Sequence, residues 1–283
     1  MLARAPASSA NLGPGFDTLA VALALYCEVE VRPAAALTVR SEGEGAHLRA
    51  DASHLAARVA VAVAGHDRLA ITVRSEIPVG RGLGSSAALA AAAAAAAGAP
   101  DPLAVAAAAD GHPENAAASV LGGLVCATVV DGRPVAHRLP LDGGLSFVVL
   151  VPDRPLPTAE ARAALPTRVD HADAAFNLGR LGLLLAGLAD GGRLVPAAME
   201  DRLHQRFRAP LFPQAAPLLA GLVEAGALAA GWSGAGPSLL AICRTSLAAS
   251  VRDAGDELLA GEGVTGRSLL LAAENAGLVV SGR

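Results

Sequence analysis

The chain has 283 residues and a formal net charge of −4 at pH 7, and 53% of its residues are hydrophobic but only 2% are aromatic. A chain of this length can form one large or two modest domains with a sizeable core, and its negative charge argues against a nucleic-acid-binding surface. All 22 basic residues are arginines, which excludes the lysine of a Walker A loop and the strand lysine of protein kinases.

The hydrophobic segments are rich in alanine and are interrupted by glycine, proline and charged residues. Residues 82–100 carry no charge, but their glycines, serines and closing proline predict a buried helix rather than a membrane span. No secretory signal pattern opens the sequence, so we expect a cytoplasmic protein. The three cysteines and seven histidines show no metal-binding or redox spacing.

The first segment with functional character is ARAPASSANLGPGFD, residues 3–17. A short strand at residues 3–6 is predicted to lead into a loop rich in Ser, Asn and Gly. Asn11 and Asp17 flank a Gly-Pro-Gly corner that would hold an amide and a carboxylate at a fixed separation. An ammonium group requires such partners, although an ordinary polar turn is the alternative interpretation.

Two strands and a helix are predicted next. Residues 18–31 and 37–40 are typical of strands. Residues 51–64 predict a helix that is capped by Asp51 or Ser53 and has an apolar stripe on one face. We expect His54, near the start of this helix, to be solvent-exposed.

Residues 69–97 predict a strand, a glycine-rich loop and a helix N-terminus. The strand is rich in β-branched residues, and the helix is almost pure alanine, the best helix former. Glycines 80, 82 and 84 would let backbone N–H groups turn toward an anion, and we expect no room for side chains beside it. Ser85 or Ser86 is predicted to cap the helix, whose positive end then faces the same point. The pattern indicates a phosphate-binding loop, although a glycine-rich turn alone is the alternative.

Residues 101–123 predict two helices around the bend GHPEN, residues 111–115. The acidic residues Asp110 and Glu114 flank this bend. Since Mg²⁺ bound to ATP needs few protein oxygens besides the phosphates, Asp110 is a candidate magnesium ligand. A plain helix–helix turn is the alternative.

The rest of the chain predicts a second unit of helices and strands. Residues 124–130 and 133–139 predict a hairpin with an Asp-Gly turn, and residues 145–151 predict a buried strand. We place a domain boundary after it, which gives domains 1–152 and 153–283. Predicted helices follow at 158–165, 170–189, 195–208, 217–230 and 247–259, and predicted strands at 239–243 and 267–271.

Four motifs in order resemble those of the GHMP kinases, the family of galactokinase, homoserine kinase, mevalonate kinase and phosphomevalonate kinase. PVGRGLGSSAA at 78–88 resembles the family's phosphate loop, and residues 6–17 resemble the opening of its homoserine kinases. Residues 110–115 resemble the family's Glu-Gly-His-Pro-Asp-Asn, with aspartate and glutamate exchanged at the two acidic positions. SGAGP at 233–237 resembles its second glycine element.

The resemblance implies an α+β fold class, the two-domain GHMP kinase fold. Its N-terminal domain has a mixed sheet with the phosphate-loop helix and is similar to domain 2 of ribosomal protein S5, and its C-terminal domain is ferredoxin-like. The implied reaction transfers the γ-phosphoryl group of ATP, with Mg²⁺, to the side-chain hydroxyl of L-homoserine, a step of threonine biosynthesis.

The resemblance also implies the site residues. The ATP site is formed by Pro78, Val79, Gly80, Arg81, Gly82, Leu83, Gly84, Ser85, Ser86, Ala87 and Ala88, and magnesium is held by Ser85 and Asp110. The catalytic residues are Glu114, Asn115 and Arg162. The substrate is bound by Asn11, Asp17, Glu114, Asn115, Thr158, Arg162 and Arg208, with Asn11 and Asp17 on one side and the two arginines on the other.

Two alternatives remain open at this point. The chain could be another GHMP small-molecule kinase, although mevalonate kinases normally use a lysine that is absent here, or a nucleotide-binding relative whose catalytic site has decayed. A hydrolase is a weaker alternative, because no G-x-S-x-G motif occurs.

The expected partners are the small molecules ATP and L-homoserine, with no nucleic acid and no membrane. The oligomeric state, including a homodimer, stays open.

Overall fold

The computed structural model describes residues 1–281, which form two β-sheets with helices packed on them. The first sheet follows the order β11-β1-β2-β4-β3, and β5 pairs with β2 and β6. Its strands are β1 (Leu2–Ala10), β2 (Leu19–Pro33), β3 (Thr38–Gly43), β4 (Leu69–Ser75), β5 (Leu124–Val130), β6 (Arg133–Leu139) and β11 (Val279–Ser281). The β3–β4 pair is parallel and the other pairs are antiparallel, so the sheet is mixed, as predicted.

Four helices pack with the first sheet: α1 (Leu55–Ala64), α2 (Ser85–Ala96), α3 (Pro102–Asp110) and α4 (Pro113–Leu121). Helix α2 contacts β1 and β2 as well as all three of the other helices. Its alanines from 90 to 94 are fully buried. The small side chains therefore let the sheet and three helices approach α2 closely, which explains the run of alanine.

The second sheet has the antiparallel order β10-β7-β9-β8. Its strands are β7 (Leu145–Pro152), β8 (Ala229–Trp232), β9 (Leu239–Arg244) and β10 (Gly266–Leu271). Helices α5 (Thr158–Ala163), α6 (His171–Ala189), α7 (Gln205–Arg208) and α8 (Ala215–Glu224) lie between β7 and β8, and α9 (Ala248–Gly261) lies between β9 and β10. This strand and helix order is ferredoxin-like, which confirms the predicted fold.

The chain does not pass from the first sheet to the second at residue 152. Strand β7 pairs within the second sheet, and β11 returns to pair with β1 of the first. The buried strand β7 was assigned from sequence to the first domain because its hydrophobic run does not reveal its pairing partner. The division into domains 1–152 and 153–283 stays a prediction about folding units.

Several predicted elements have different bounds. Strand β1 extends to Ala10, the predicted helix at 217–230 gives way to strand β8 at Ala229, and β11 was not predicted. The predicted helix at 195–208 is broken into a 3₁₀ turn, Pro196–Met199, and the short α7. Carboxylate oxygens of Asp201 accept hydrogen bonds from the backbone N–H groups of residues 203–205, so this side chain starts a new helical turn rather than continuing the old one.

Helix α6 is long and apolar enough to cross a membrane by length and composition, with a mean hydropathy of 1.2. Only 28% of its apolar window is buried. One side of the helix does belong to the core, because Leu184 and Leu188 are fully buried. The hydropathy of α6 thus comes from a buried side together with an exposed apolar side.

The packing around α2 predicts that added volume destabilises the protein. Ala92 has no exposed surface, so Ala92→Leu should lower the free energy of unfolding by about 1–3 kcal/mol through overpacking. Urea denaturation followed by circular dichroism measures this change. Ala62→Leu on the exposed side of α1 is the matched control, and equal stability of the two variants would contradict close packing around α2.

Candidate active site

The loop between β4 and α2 brings backbone N–H groups to a helix N-terminus. Gly80, Gly82 and Gly84 have φ values of 67°, 72° and 64°, in the left-handed region that favours glycine. Gly84 is the N-cap of α2, and no side chain caps this helix. The prediction that Ser85 or Ser86 caps it is wrong, because these are its first two helical residues. The first N–H groups of α2 therefore remain available to an anion.

Contacts within the protein account for two of these glycines. A Cβ atom at Gly82 would collide with the carbonyl oxygen of Ser233, and one at Gly84 would collide with Oγ of Ser8. The sequence predicts a collision with phosphate, whereas the atoms that a side chain would meet here belong to the protein. The loop is thus packed between β1 and the turn that follows β8.

A cavity of about 280 Å³ lies beside this loop. It is lined by all the predicted substrate residues, both predicted magnesium ligands and most of the predicted ATP residues: Asn11, Asp17, Pro78, Gly80, Arg81, Gly82, Leu83, Gly84, Ser85, Ser86, Asp110, Glu114, Asn115, Thr158, Arg162 and Arg208. Three predicted ATP residues do not line it. Val79 lines a neighbouring cavity, and Ala87 and Ala88 are buried in the core.

The loop at 11–17 is held by the amide of Asn11. Its Nδ2 donates to the carbonyl oxygen of Gly234 at 2.7 Å, and its Oδ1 accepts from the backbone N–H of Asp17 at 3.0 Å. Asn11 and Asp17 both have positive φ, which is uncommon for residues other than glycine. Asn11 therefore fixes a strained loop that presents the carboxylate of Asp17 to the cavity.

Asp17 and Arg162 form a bidentate ion pair. The two terminal nitrogens of Arg162 donate to the two carboxylate oxygens of Asp17 at 2.9 and 2.8 Å. This bond raises the pKa of Arg162. The prediction that Arg162 lies on the opposite side of the pocket from Asp17 is wrong. The pair instead offers a cation and an anion side by side, and each is partly exposed to the cavity.

Arg208 is 1% exposed and is tied to protein atoms. Its NH1 donates to the carbonyl oxygen of Gly234 at 3.1 Å and to Nδ1 of His204 at 3.0 Å, and its Nε donates to the carbonyl oxygen of Ala161 at 3.3 Å. Burial lowers its pKa to about 10. It is therefore a buried cation at the wall of the cavity rather than a surface arginine.

His204 supports Arg208 and was not among the predicted site residues. It is fully buried, and its Nε2 donates to the carbonyl oxygen of Gly13 at 2.8 Å while Nδ1 accepts from Arg208. Burial lowers its pKa, so the ring is the neutral Nε2–H tautomer. The sequence carried a signal for this role, since a His and an Arg four residues apart share one helical face.

Glu114 is a buried carboxyl group at the cavity wall. It is 1% exposed, its Oε1 accepts from Nδ2 of Asn115 at 3.2 Å, and its Oε2 has no hydrogen-bond partner. Burial raises its pKa to about 7, and the negative charges of Asp17 and Asp110 act in the same direction. Asn115 is fixed in turn, because its Oδ1 accepts from Oγ of Ser8 at 2.8 Å.

Asp110 lies at the end of α3, and its side chain is 11% exposed. Nδ1 of His112 lies 3.3 Å from its Oδ2 and 3.0 Å from its carbonyl oxygen. Hydrogen bonding to Asp110 raises the pKa of His112. The carboxylate is thus oriented toward the cavity by a neighbouring histidine.

A second cavity of about 300 Å³ adjoins the first and shares Ser85 and Ser86 with it. Its lining is mostly apolar and includes Leu55 and Leu89. His54 also lines it, is 6% exposed and caps α1 by accepting a hydrogen bond from the N–H of Ala56. The predictions of an exposed His54 and of an Asp51 or Ser53 cap are therefore wrong.

Comparison with known proteins agrees with this geometry. Residues 48–123 match the GHMP kinases N terminal domain, and residues 174–260 match the GHMP kinases C terminal domain. The homoserine kinase of Thermus thermophilus is 42% identical over 279 residues, which cover 94% of each chain. That of Moorella thermoacetica is 40% identical and covers 86% of this chain and 87% of its own. The chain belongs to the homoserine kinases of the GHMP kinase family.

Solved structures of GHMP kinases share the fold. The homoserine kinase of Cytophaga hutchinsonii has a TM-score of 0.87 and 25% identity and covers 99% of this chain and 97% of its own. L. major mevalonate kinase in complex with R-mevalonate has a TM-score of 0.72 and 15% identity, with 96% of each chain covered, and shares the fold alone. As a GHMP kinase, the chain is an ATP-dependent small-molecule kinase.

Glu114 is expected to lower stability at neutral and higher pH. Its pKa is raised in the folded state from 4.5 to about 7, so ionisation of Glu114 costs more in the folded than in the unfolded chain. The free energy of unfolding is therefore highest below pH 4.5, where Glu114 is protonated, and this advantage is lost as the pH rises through 7. Glu114→Gln should therefore stabilise the protein at pH 8, by about 3 kcal/mol, with little change at pH 4.5. Urea denaturation at the two pH values measures the difference.

The exposed Glu257 provides a matched control, since Glu257→Gln should leave the pH dependence unchanged. A Glu114→Gln variant that is less stable at pH 8 than the parent would show that the ionised carboxylate is satisfied in the folded state. Such a result would contradict the unpartnered Oε2.

Proposed function

We propose that this chain catalyses transfer of the γ-phosphoryl group of ATP to the side-chain hydroxyl of L-homoserine, which gives O-phospho-L-homoserine for threonine biosynthesis. The observation that carries the proposal is the Asp17–Arg162 pair, which offers groups for the ammonium and the carboxylate of an amino acid in the same cavity as the phosphate loop. We also propose that the protein acts in the cytoplasm, where it would use the cytoplasmic pool of ATP.

The proposed ATP site spans both cavities. The uncapped N-terminus of α2 carries a positive partial charge that suits the phosphates. Ser85 and Ser86 lie where the two cavities meet. The apolar cavity lined by Leu55 and Leu89 would then take the base, since flat aromatic rings are favoured in mostly apolar pockets.

The donors at the cavity fit magnesium. Mg²⁺ prefers oxygen ligands and is usually bound by one or two carboxylates together with substrate phosphates. The Ser85 hydroxyl and the Asp110 carboxylate are oxygen ligands of this kind, and both residues line the cavity. When bound there, the ion would neutralise charge on the phosphate oxygens during transfer.

The amino acid would insert into the Asp17–Arg162 pair. Its ammonium would take the place of Arg162 beside Asp17, and its carboxylate would bind Arg162, with Arg208 as a second, buried positive charge nearby. Oε2 of Glu114 lacks a partner and would accept a hydrogen bond from the substrate hydroxyl, with Asn115 holding the Glu114 side chain. Phosphoryl transfer requires mainly positioning and charge neutralisation, so these residues orient the hydroxyl and no dedicated base is needed.

A substrate panel tests the proposal. ADP release, measured by a coupled assay, should occur with L-homoserine and not with mevalonate, galactose or 4-diphosphocytidyl-methylerythritol. Activity with one of the other acceptors alone would replace the proposed substrate. Absence of turnover with all four acceptors, together with retained ATP binding, would indicate a decayed relative.

Substitution of Arg162 should change the KM for homoserine without changing the KM for ATP. Bound homoserine would cover Arg162 and exclude water from its contact with the substrate carboxylate. Truncating one partner of such a desolvated charge pair costs roughly 2–5 kcal/mol, so Arg162→Met should raise the KM for homoserine by about thirtyfold or more, while the KM for ATP stays nearly constant. Steady-state kinetics measures both values. Arg180→Met is the control, because Arg180 pairs with Glu200 on the surface.

An equal rise of both KM values in Arg162→Met would indicate general damage to the second sheet and its helices. No rise at all would remove Arg162 from the carboxylate site. Arg208→Leu should also raise the KM for homoserine steeply. It is the less selective test, because it leaves the buried Nδ1 of His204 without its donor.

Removal of the charge of Asp110 should weaken the apparent affinity for Mg²⁺. Asp110→Asn keeps the shape of the side chain, so the rate should fall at low Mg²⁺ and recover in part at high Mg²⁺. A titration of the initial rate against Mg²⁺ at constant ATP measures this shift. Asp131→Asn in the exposed β5–β6 turn is the control, and an unchanged Mg²⁺ dependence in Asp110→Asn would leave Asp110 as the hydrogen-bond partner of His112.

A further inference from the structure

Phe16 contacts Arg162 and Arg208, two of the arginines that line the active-site cavity. The central guanidinium carbon, Cζ, of each arginine lies 5.5 Å from the centroid of the phenyl ring, within the roughly 6 Å of a cation–π interaction. The ring also stacks on His204, with the two ring centroids 5.1 Å apart and the planes inclined by 23°. One side chain therefore touches both cations and the histidine that holds Arg208.

The two arginines repel each other. Burial and, after it, the positive charge of Arg162 lower the pKa of Arg208, so the guanidinium groups are close enough to interact. Asp17 pairs with Arg162, whereas the hydrogen bonds of Arg208 within the described chain go to two backbone carbonyls and to His204. Because the face of an aromatic ring carries partial negative charge, the ring of Phe16 offsets part of the repulsion.

A second phenylalanine provides a comparison that shows which charge is missing beside Phe16. Arg180 and Arg202 lie over the ring of Phe176, with their Cζ atoms 4.5 and 3.9 Å from its centroid. Each of these arginines contacts a different carboxylate, at 2.8 and 3.3 Å. The two arginines over Phe16 have one carboxylate partner between them. The cluster at Phe16 is therefore one negative charge short, and a substrate carboxylate would supply it.

We propose that Phe16 is a positioning residue for recognition of the substrate carboxylate, because its ring holds the guanidinium groups of Arg162 and Arg208 toward the same anion. The proposal rests on the proposed function, since it assumes an amino acid substrate. Phe16 does not itself line the cavity and acts through the two arginines. Without the ring, repulsion would drive the partly exposed Arg162 away from Arg208 and from the bound carboxylate.

Packing of the loop at 11–17 is the alternative role for Phe16. This loop has other supports, since Asn11 bonds to Gly234 and Asp17, and His204 donates to the carbonyl of Gly13. The two roles differ in what they affect. Loss of packing would weaken binding of every acceptor, whereas displaced arginines would weaken recognition of a carboxylate alone.

Comparison of L-homoserine with 3-aminopropanol separates these roles. 3-Aminopropanol has the hydroxyl and the ammonium group of homoserine at the same spacing and lacks the carboxylate. Phe16→Leu should lower kcat/KM for L-homoserine by about threefold to thirtyfold, mostly through KM, because a lost cation–π contact has this effect. The kcat/KM for 3-aminopropanol and the KM for ATP should stay nearly constant. Steady-state kinetics measures these values, and the inhibition constant of 3-aminopropanol against L-homoserine replaces its kcat/KM if its turnover is too slow.

Two further variants are the controls. Phe16→Tyr keeps an aromatic ring and should retain the wild-type preference for L-homoserine over 3-aminopropanol. Phe176→Leu removes the same ring from beside Arg180 and Arg202, outside the cavity, and should leave the constants for both acceptors unchanged. Circular dichroism checks that each variant is folded. If Phe16→Leu fails to fold, Phe16→Met takes its place, because a methionine lacks the ring and fills irregular gaps.

An equal fall of kcat/KM for both acceptors in Phe16→Leu would overturn the proposal and leave Phe16 as a packing residue of its loop. An unchanged kcat/KM for L-homoserine, or an equal loss in Phe16→Tyr, would also overturn it. These results would leave the proposed function intact, because the wild-type chain would still phosphorylate L-homoserine. Absence of that turnover in the wild-type chain is the separate result that would overturn the proposed function, and with it the role of Phe16.

Discussion

The site depends on a contact between two backbone segments that come from different sheets. Oγ of Ser233 lies 2.7 Å from the carbonyl oxygen of Gly82 and 2.8 Å from Oγ of Ser9. Because the hydroxyl has one proton, Ser233 donates to the carbonyl and accepts from Ser9. Next to it, Gly234 donates its N–H to the carbonyl of Ala10 and accepts from Asn11 and from Arg208. An unpaired buried group costs about 1–3 kcal/mol, so these bonds fix the phosphate loop and residues 9–11 against the turn at Ser233 and Gly234.

The charges within the cavity are left partly unsatisfied. Asp17 and Arg162 neutralise each other, but Arg208 has no carboxylate within hydrogen-bond distance among the described residues, and Glu114 is held near neutrality by burial. Such an arrangement is less stable than an apolar wall of the same shape would be. It fits a site whose ligands carry the missing charges and hydrogen bonds, so that part of the protein's stability is given up for binding.

The sequence predicted most of the cavity because each motif is local. The phosphate loop needs only a strand, glycines and a helix within about twenty residues, and the bend that contains Glu114 is equally short. What the sequence could not predict depends on partners distant in the chain. Ser233 reaches Gly82 across 151 residues, and Asp17 meets Arg162 across 145. The predictions that β7 belongs with the first sheet and that His54 is exposed were wrong for the same reason, since strand pairing and burial are decided by tertiary contacts.

The return of β11 to the first sheet means that the chain passes between the sheets twice, after β6 and again after β10. The second crossing is hydrogen-bonded to the first sheet, through the carbonyl of Ala272, and through the N–H and carbonyl of Glu274. A hydrophobic cluster also contains buried residues of both sheets, among them Val29 of β2 and Val149 of β7. A break in the chain at either crossing would therefore leave the two sheets joined by the other crossing and by this shared core.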